Sequence, residues 1–379
     1  MRKQTILTCV SSLMLGLALV ACGQPATTNS QEGSAQVNSA SNSGSEASAD
    51  AASSAATEQA ATSAIGTVSN ALAADEDALV STYASRFSQE TYDDSETGLS
   101  ITYNLFLPEG YDASKSYPMV VFIADSSCAK GDPAQSLTQG LGALVWASDE
   151  WQAAHPTIVC VPTYAETILD DHSGYVTTDY VEATARLIDS VKTSYAVDAS
   201  RIYGTGQSMG CMTTLILASQ HPDLYAGCMF VDGQWDVTTL QGLEGQRFVY
   251  FAAEDDERAF AGMGEVMAMF ETDGKPFASA QWDGNWSFDE LSQAATELFS
   301  QGKDANFVSW AAGTIDAGST GDNGGMAGGE GGGMAGGMAG GEGGGMAGGN
   351  GGGMGGASAH MASFDYAYRC IAAMEWLFS

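Results

Sequence analysis

The chain of 379 residues carries 46 acidic against 13 basic side chains, a formal net charge of −33. Such a composition lacks the basic patches that hold nucleic acid or an anionic membrane surface, so both are disfavoured as partners. Length allows one large domain or two ordinary ones, but apolar residues are unevenly spread and much of the chain cannot fold.

Arg2 and Lys3 precede an apolar run from Ile6 to Val20, which closes on Leu19-Val20-Ala21-Cys22. A basic start, a short apolar core and small residues before a cut describe an export signal rather than a spanning helix. The tail of this run resembles the bacterial lipoprotein lipobox. That resemblance implies cleavage after a signal peptide of residues 1–21, lipid on the thiol of Cys22, and a membrane-anchored protein of the cell envelope facing outward from the cytoplasmic membrane. Residues 22–74 are mostly Ser, Ala, Thr, Gln and Gly with no aromatic residue. They bury too little apolar area to offset ordering entropy, so a disordered tether is expected, followed by one folded domain over 75–379.

Ser100–Leu107 alternates and stops at Pro108-Glu109-Gly110-Tyr111, predicting a strand and turn. Tyr117-Pro118 then leads into the unbroken apolar run Met119–Ala124, and Thr157–Pro162 forms a second such run, as in strands buried on both faces. Between them a helical pattern runs through Leu141, Leu144, Val145 and Trp146. Val181, Ala185, Leu187, Ile188 and Val191 recur at helical spacing, with Thr178 and Asp179 as caps. Further strands are expected over Tyr225–Val231, Arg247–Ala253 and Asn306–Trp310, and helices over Met263–Phe270, Phe288–Phe299 and Phe364–Phe378. The two leading strands suggest an antiparallel start with a hairpin-like connection. Buried strands alternating with helices predict an α/β fold on the α/β-hydrolase plan, with a mostly parallel central sheet and helices on both faces.

At the centre of this pattern stands Gly206-Gln207-Ser208-Met209-Gly210, with the apolar strand Arg201–Gly204 before it and a small-residue helix after it. That is the context of a G-x-S-x-G nucleophile elbow. A serine on so tight a turn sits in strained backbone, and the positions two before and two after must be nearly free of side chain for strand and helix to approach. Its hydroxyl is then exposed at a helix N-terminus, where the amide of Met209 can meet a developing oxyanion.

A serine hydroxyl needs a base within hydrogen-bond reach. Of the four histidines, His155 and His172 precede the serine, whereas this fold orders nucleophile, acid, then histidine. His221 stands at the far end of the same helix, about 20 Å away. His360, after the last strand and just before the closing helix, is left as the base. The acid should end a strand between the two: Asp255 or Asp256 after Ala253, with Asp232 in reserve. Glu254, Asp255, Asp256 and Glu257 together also read as a solvated acidic turn.

Residues 318–356 interrupt the domain with Gly, Met and Ala, and the unit Met-Ala-Gly-Gly-Glu-Gly-Gly-Gly begins at Met326 and again at Met338. Glycine so dense predicts a flexible insertion, with a lid or a thioether copper site as sharper alternatives. After removal of Cys9 and lipidation of Cys22, Cys128, Cys160, Cys211, Cys228 and Cys370 remain, an odd set in apolar runs with no zinc-motif spacing. They read as buried small hydrophobes with at most one disulfide. Tyr164, Trp235, Trp282 and Trp286 are candidates for a pocket rim, with packing the alternative.

Pro108–Tyr111, Tyr117-Pro118, the elbow, Trp235 and the segment from His360 to Trp376 together resemble the secreted esterase branch of the α/β-hydrolases. That branch includes feruloyl-esterase-like, polyhydroxyalkanoate-depolymerase-like and prolyl-oligopeptidase-like enzymes. The resemblance spans Phe87 to Phe378 apart from the insertion. It implies a serine esterase acting through an acyl-enzyme on a small-molecule or polysaccharide-linked ester, with no metal or organic cofactor. The family pattern His-Gly-x-x-Asp falls on Ala252–Asp256 and favours Asp256 as the acid. Where the family has His-Gly before its first oxyanion donor, this chain has Ala124-Asp125, leaving the amide of Ser126 or Ser127 as that donor. A serine peptidase of the same fold and a non-catalytic surface binding protein on a hydrolase scaffold remain alternatives.

Overall fold

The computed structural model of the protein describes residues 76–315 and 355–379. The expected signal peptide, Cys22 and the tether lie outside the described residues. So does the Gly/Met insertion, except Gly355 and Gly356, which open a helix.

In chain order the strands are β1 (Ser88–Asp93), β2 (Ser100–Phe106), β3 (Tyr117–Ile123), β4 (Ile158–Thr163), β5 (Leu169–Asp170), β6 (Val176–Thr177), β7 (Val197–Gln207), β8 (Gly227–Val231), β9 (Phe248–Ala253), β10 (Phe277–Trp282) and β11 (Ala305–Trp310). The helices are α1 (Glu76–Tyr83), α2 (Gln135–Thr138), α3 (Asp149–Ala154), α4 (Tyr180–Ser194), α5 (Met209–Gln220), α6 (Glu257–Thr272), α7 (Phe288–Phe299), α8 (Gly355–Tyr368) and α9 (Ile371–Phe378). Nine strands form one sheet in the order β1-β2-β4-β3-β7-β8-β9-β11-β10, and β5 and β6 make a separate hairpin. β2 pairs antiparallel with both β1 and β4, while every other pair in the large sheet is parallel. This is the α/β-hydrolase plan, with one reversed strand near an edge.

β3, β4, β8, β9 and β11 are buried along their whole lengths because successive side chains enter opposite layers. Val120, Phe122, Met229, Val231, Val249 and Phe251 pack beneath α7, α8 and α9. Met119, Val121, Ile123, Cys228, Phe230, Phe248 and Tyr250 pack beneath α4, α5 and α6. The five cysteines of the domain are buried and unpaired.

Several local expectations are corrected. β2 and β3 are not neighbours; the antiparallel start is β1 with β2. β1 and β10 were not legible, because β1 is a mostly polar edge strand and β10, at the other edge, sets Ala-Ser-Ala-Gln between Phe277 and Trp282. The pattern over Leu141–Trp146 is not one helix but short turns flanked by α2 and α3, since Gly140 has φ 75° and Leu141, Leu144, Val145 and Trp146 are all buried rather than sharing one face. Asp179 occupies the N-cap of α4 without a side-chain bond, while Thr178 Oγ1 donates to the Ile168 carbonyl instead. The closing helix begins earlier than Phe364 and is broken near Arg369, so His360 lies within α8 rather than before a helix.

Candidate active site

Ser208 joins β7 to α5 with φ 51° and ψ −116°, a conformation sparsely populated by residues other than glycine. Its amide donates to the Val231 carbonyl at 3.1 Å, which ties the turn to the end of β8. A Cβ on Gly206 would lie 2.5 Å from the Gly210 backbone, and one on Gly210 would lie 1.8 Å from the Ile123 carbonyl oxygen. The crowding therefore involves the end of β3 as well as the strand and helix of the elbow.

His360 reaches both partners. Its Nε2 lies 2.9 Å from Ser208 Oγ and its Nδ1 2.5 Å from Asp256 Oδ2. A carboxylate can only accept, so the neutral ring carries its proton on Nδ1 and leaves Nε2 to accept a hydrogen bond from the Ser208 hydroxyl. Asp256 is itself held as the N-cap of α6, where Oδ1 accepts from the amides of Arg258 and Ala259 at 3.2 and 3.1 Å. Burial disfavours the imidazolium, but the hydrogen bond and charge of Asp256, with Asp232 and Asp125 behind it, outweigh this and raise the His360 pKa above 6.5.

The other acids are placed elsewhere. Asp255 accepts from the Gly313 amide at 2.6 Å, and Glu254 accepts from Gln281, Ser309 and Ala312. The acidic turn is therefore divided among three tasks rather than simply solvated. Asp232 is fully buried and bonds Ser363 and the Ala253 amide, not His360. Among the other histidines, His155 pairs with Glu375, His221 with Glu182, and His172 with Asp171 and Arg258.

In the loop after β3, Asp125 Oδ1 accepts from the Ser127 amide at 2.6 Å, which spends that donor. Gln139 Nε2 bonds Asp125 Oδ2 and Ser127 Oγ, and Gln207 Nε2 reaches Gln139 Oε1 at 3.2 Å. Where the family pattern has His-Gly, an Asp-Gln network orders the loop. Its sequence signal was the Asp125-Ser126-Ser127 cap, but Gln139 carried none. Ser126 and Met209 line the same cavity as Ser208 and His360. Met209 is the first residue of α5, so its amide belongs to the set that a helix leaves unpaired.

That cavity encloses about 820 Å³. Its apolar lining includes Leu169, Val176, Met212 and Met361, and its far wall is polar, with Asp171, His172, Gln234 and Arg258. Arg258 donates to Asp171 Oδ2 at 2.6 Å and to His172 Nε2 at 2.6 Å, while Gln234 bonds Asp171 Oδ2. This clamp was missed because its members are scattered along the chain. Tyr164, Trp235 and Trp282 are buried in the core, and Trp286 packs against it; none of the four lines the cavity.

Comparison with known proteins agrees with the resemblance. A stretch of 72 residues is 36% identical to acetylxylan esterase A of Emericella nidulans, covering 15% of this chain and 24% of that protein. A stretch of 48 residues is 35% identical to poly(3-hydroxyalkanoate) depolymerase C of Paucimonas lemoignei, covering 13% of this chain and 12% of that protein. The chain thus matches a quarter or less of the length of these relatives. A solved structure described as a thermostable esterase has a TM-score of 0.49 at 23% identity, covering 62% of this chain and 56% of that one. The Esterase family model matches residues 95–288, a span that holds both the Ser208 elbow and Asp256, and the chain belongs to that family.

Proposed function

We propose that the protein is a serine esterase that cleaves carboxylic esters through an acyl-enzyme, with Ser208 as nucleophile, His360 as general base and Asp256 as its orienting acid. The observation that carries this reading is the hydrogen-bonded line from Ser208 through His360 to Asp256, opening on a cavity that also receives Met209 and Ser126. Ser208 Oγ attacks the ester carbonyl as its proton passes to His360 Nε2. The amides of Met209 and Ser126 hold the oxyanion, and the imidazolium then protonates the departing alkoxide. Water, deprotonated by His360, releases the acid and restores the serine. Membership of the Esterase family and the acetylxylan esterase relative support an ester substrate, including one carried on a polysaccharide.

A fluorophosphonate probe is expected to label the wild-type protein and not Ser208→Ala. A folded wild-type protein that resists the probe would remove the esterase reading in favour of a binding scaffold. Anchoring through lipid on Cys22 is proposed from the lipobox-like tail alone. Metabolic labelling with an alkyne fatty acid should mark the wild type but not Cys22→Ser, and equal labelling of both would refute it.

A further inference from the structure

Beyond the line from Ser208 to Asp256, two more buried carboxylates act on the imidazole: Asp125, in the loop after β3, and Asp232, the more deeply buried of the two. Asp232 follows β8 directly, is wholly inaccessible, and holds φ 42°, a left-handed conformation costly for a residue other than glycine. Its amide donates to the Phe251 carbonyl, and its Oδ1 accepts from the Ala253 amide at 2.8 Å. It is therefore locked to the end of β9, the strand that delivers Asp256. Its Oδ2 accepts from the hydroxyl of Ser363, which stands nearly one turn beyond His360 on α8 and lies 2.9 Å from the His360 carbonyl oxygen. Two lower attachments hold the same helix, Asp365 to the Leu141 amide and Tyr368 to Thr205, but both lie further along it. Asp232 and Ser363 hold the turn that carries the base.

Burying a carboxylate costs free energy unless it is fully bonded, and here nothing in the ester reaction uses it. We propose that Asp232, acting through Ser363, is a positioning residue that fixes the α8 turn bearing His360 against the ends of β8 and β9 and so sets the imidazole between Ser208 and Asp256. The proposal rests on His360 being the base. Burial lifts the Asp232 pKa to about 7, opposed by the Ser363 bond, reinforced by Asp256, and opposed again by the Ala253 amide and His360. The titratable groups facing it are Asp256 at the head of α6, His360 on α8, Cys211 on α5 and Tyr250 on β9. Its negative charge in turn favours protonation of His360.

Asp232→Asn keeps the shape and tolerates the left-handed backbone. In this variant kcat, expressed per site titrated by fluorophosphonate, is expected to fall on the order of tenfold with KM little changed. The acid limb of its pH–rate profile should move to lower pH, because a negative neighbour of the imidazole is gone. Ser363→Ala retains the charge but loses the bond, so kcat should fall, and Ser363→Thr should recover part of it. An acid limb at the wild-type pH in folded Asp232→Asn, or wild-type kcat in Ser363→Ala, overturns the assignment. Either result leaves Ser208 labelling intact, whereas failure of the esterase reading removes labelling from the wild type.

Discussion

Asp255 and Asp256 are adjacent, yet the backbone turn sends one carboxylate to the Gly313 amide and the other to His360 Nδ1. Asp256→Asn leaves the ring free to take the wrong tautomer, with its proton on the nitrogen that should accept from Ser208. Ester turnover is expected to fall by a factor on the order of 10⁴ in Asp256→Asn. For Asp255→Asn a few-fold change is expected, and steady-state kinetics on one small ester ranks the two. In the wild type the acid limb should lie on the alkaline side of an ordinary imidazole, because His360 is active when neutral and its pKa is raised. Activity present above that pKa is lost as pH falls through it. Asp256→Asn removes the main group that raises it, so any residual activity should persist to lower pH. That Ser208, His360 and Asp256 stand together was legible, because glycine spacing, chain order and strand ends carry that information, and the structure joins the three in one hydrogen-bonded line. Asp232 was legible only as a spare acid, since its true partner, Ser363, is set by a helix that starts earlier than the apolar pattern suggested.

At the level of elements, the hairpin of β5 and β6 forms the far side of the cavity and is held by contacts from two other places in the chain. Arg258 projects from the first turn of α6, the same turn capped by Asp256, and donates to Asp171, whose side chain is only 10% exposed. Gln234, from the loop after β8, meets the same carboxylate oxygen. Arg258→Gln should loosen the hairpin while leaving the Asp256 cap in place. KM is then expected to rise on the order of a few-fold with a smaller change in kcat, as for the loss of an ion pair between a half-exposed guanidinium and a largely buried carboxylate. An unchanged KM across short and bulky esters would show that the clamp does not shape the cavity. Fully buried strands announced themselves as apolar runs and α7 by its amphipathic period. The hairpin did not, because two-residue strands leave no periodicity to find. The edge strands were hidden for another reason: β1 is polar along most of its length, and β10 buries only Ala278 and Trp282.

For the whole molecule, the charge of −33 has a local counterpart in the cavity, where Asp170, Asp171, Asp255, Asp256 and Glu257 face one guanidinium, that of Arg258. Long-range repulsion should therefore disfavour esters that carry a negative charge on the alcohol. Matched acetyl esters of a quaternary-ammonium alcohol and a carboxylate-bearing alcohol should differ in kcat/KM by about tenfold or more in favour of the cation at low ionic strength. The gap should narrow as salt shortens the screening length to about 10 Å at 0.1 M. Equal rates, or a gap indifferent to salt, would show that bound geometry rather than field selects the substrate. Charge and fold class were open to reading from composition and pattern. The assembly of the cavity was not, because its walls come from β5 and β6, the loop after β8, and the starts of α5 and α6.

The five thiols distributed through both layers of the core carry one more consequence. Burial pushes Cys128, Cys160 and Cys370 up to about 12 and holds Cys211 and Cys228 well above the ordinary thiol range, so none supplies thiolate to a reagent while the sheet is closed. Cys228 lies within β8, Cys160 within β4, Cys211 on α5 and Cys370 beside α9. An alkylating pulse followed by peptide mapping therefore turns the domain into its own recorder of opening, reporting which layer parts first and at what rate without any introduced label.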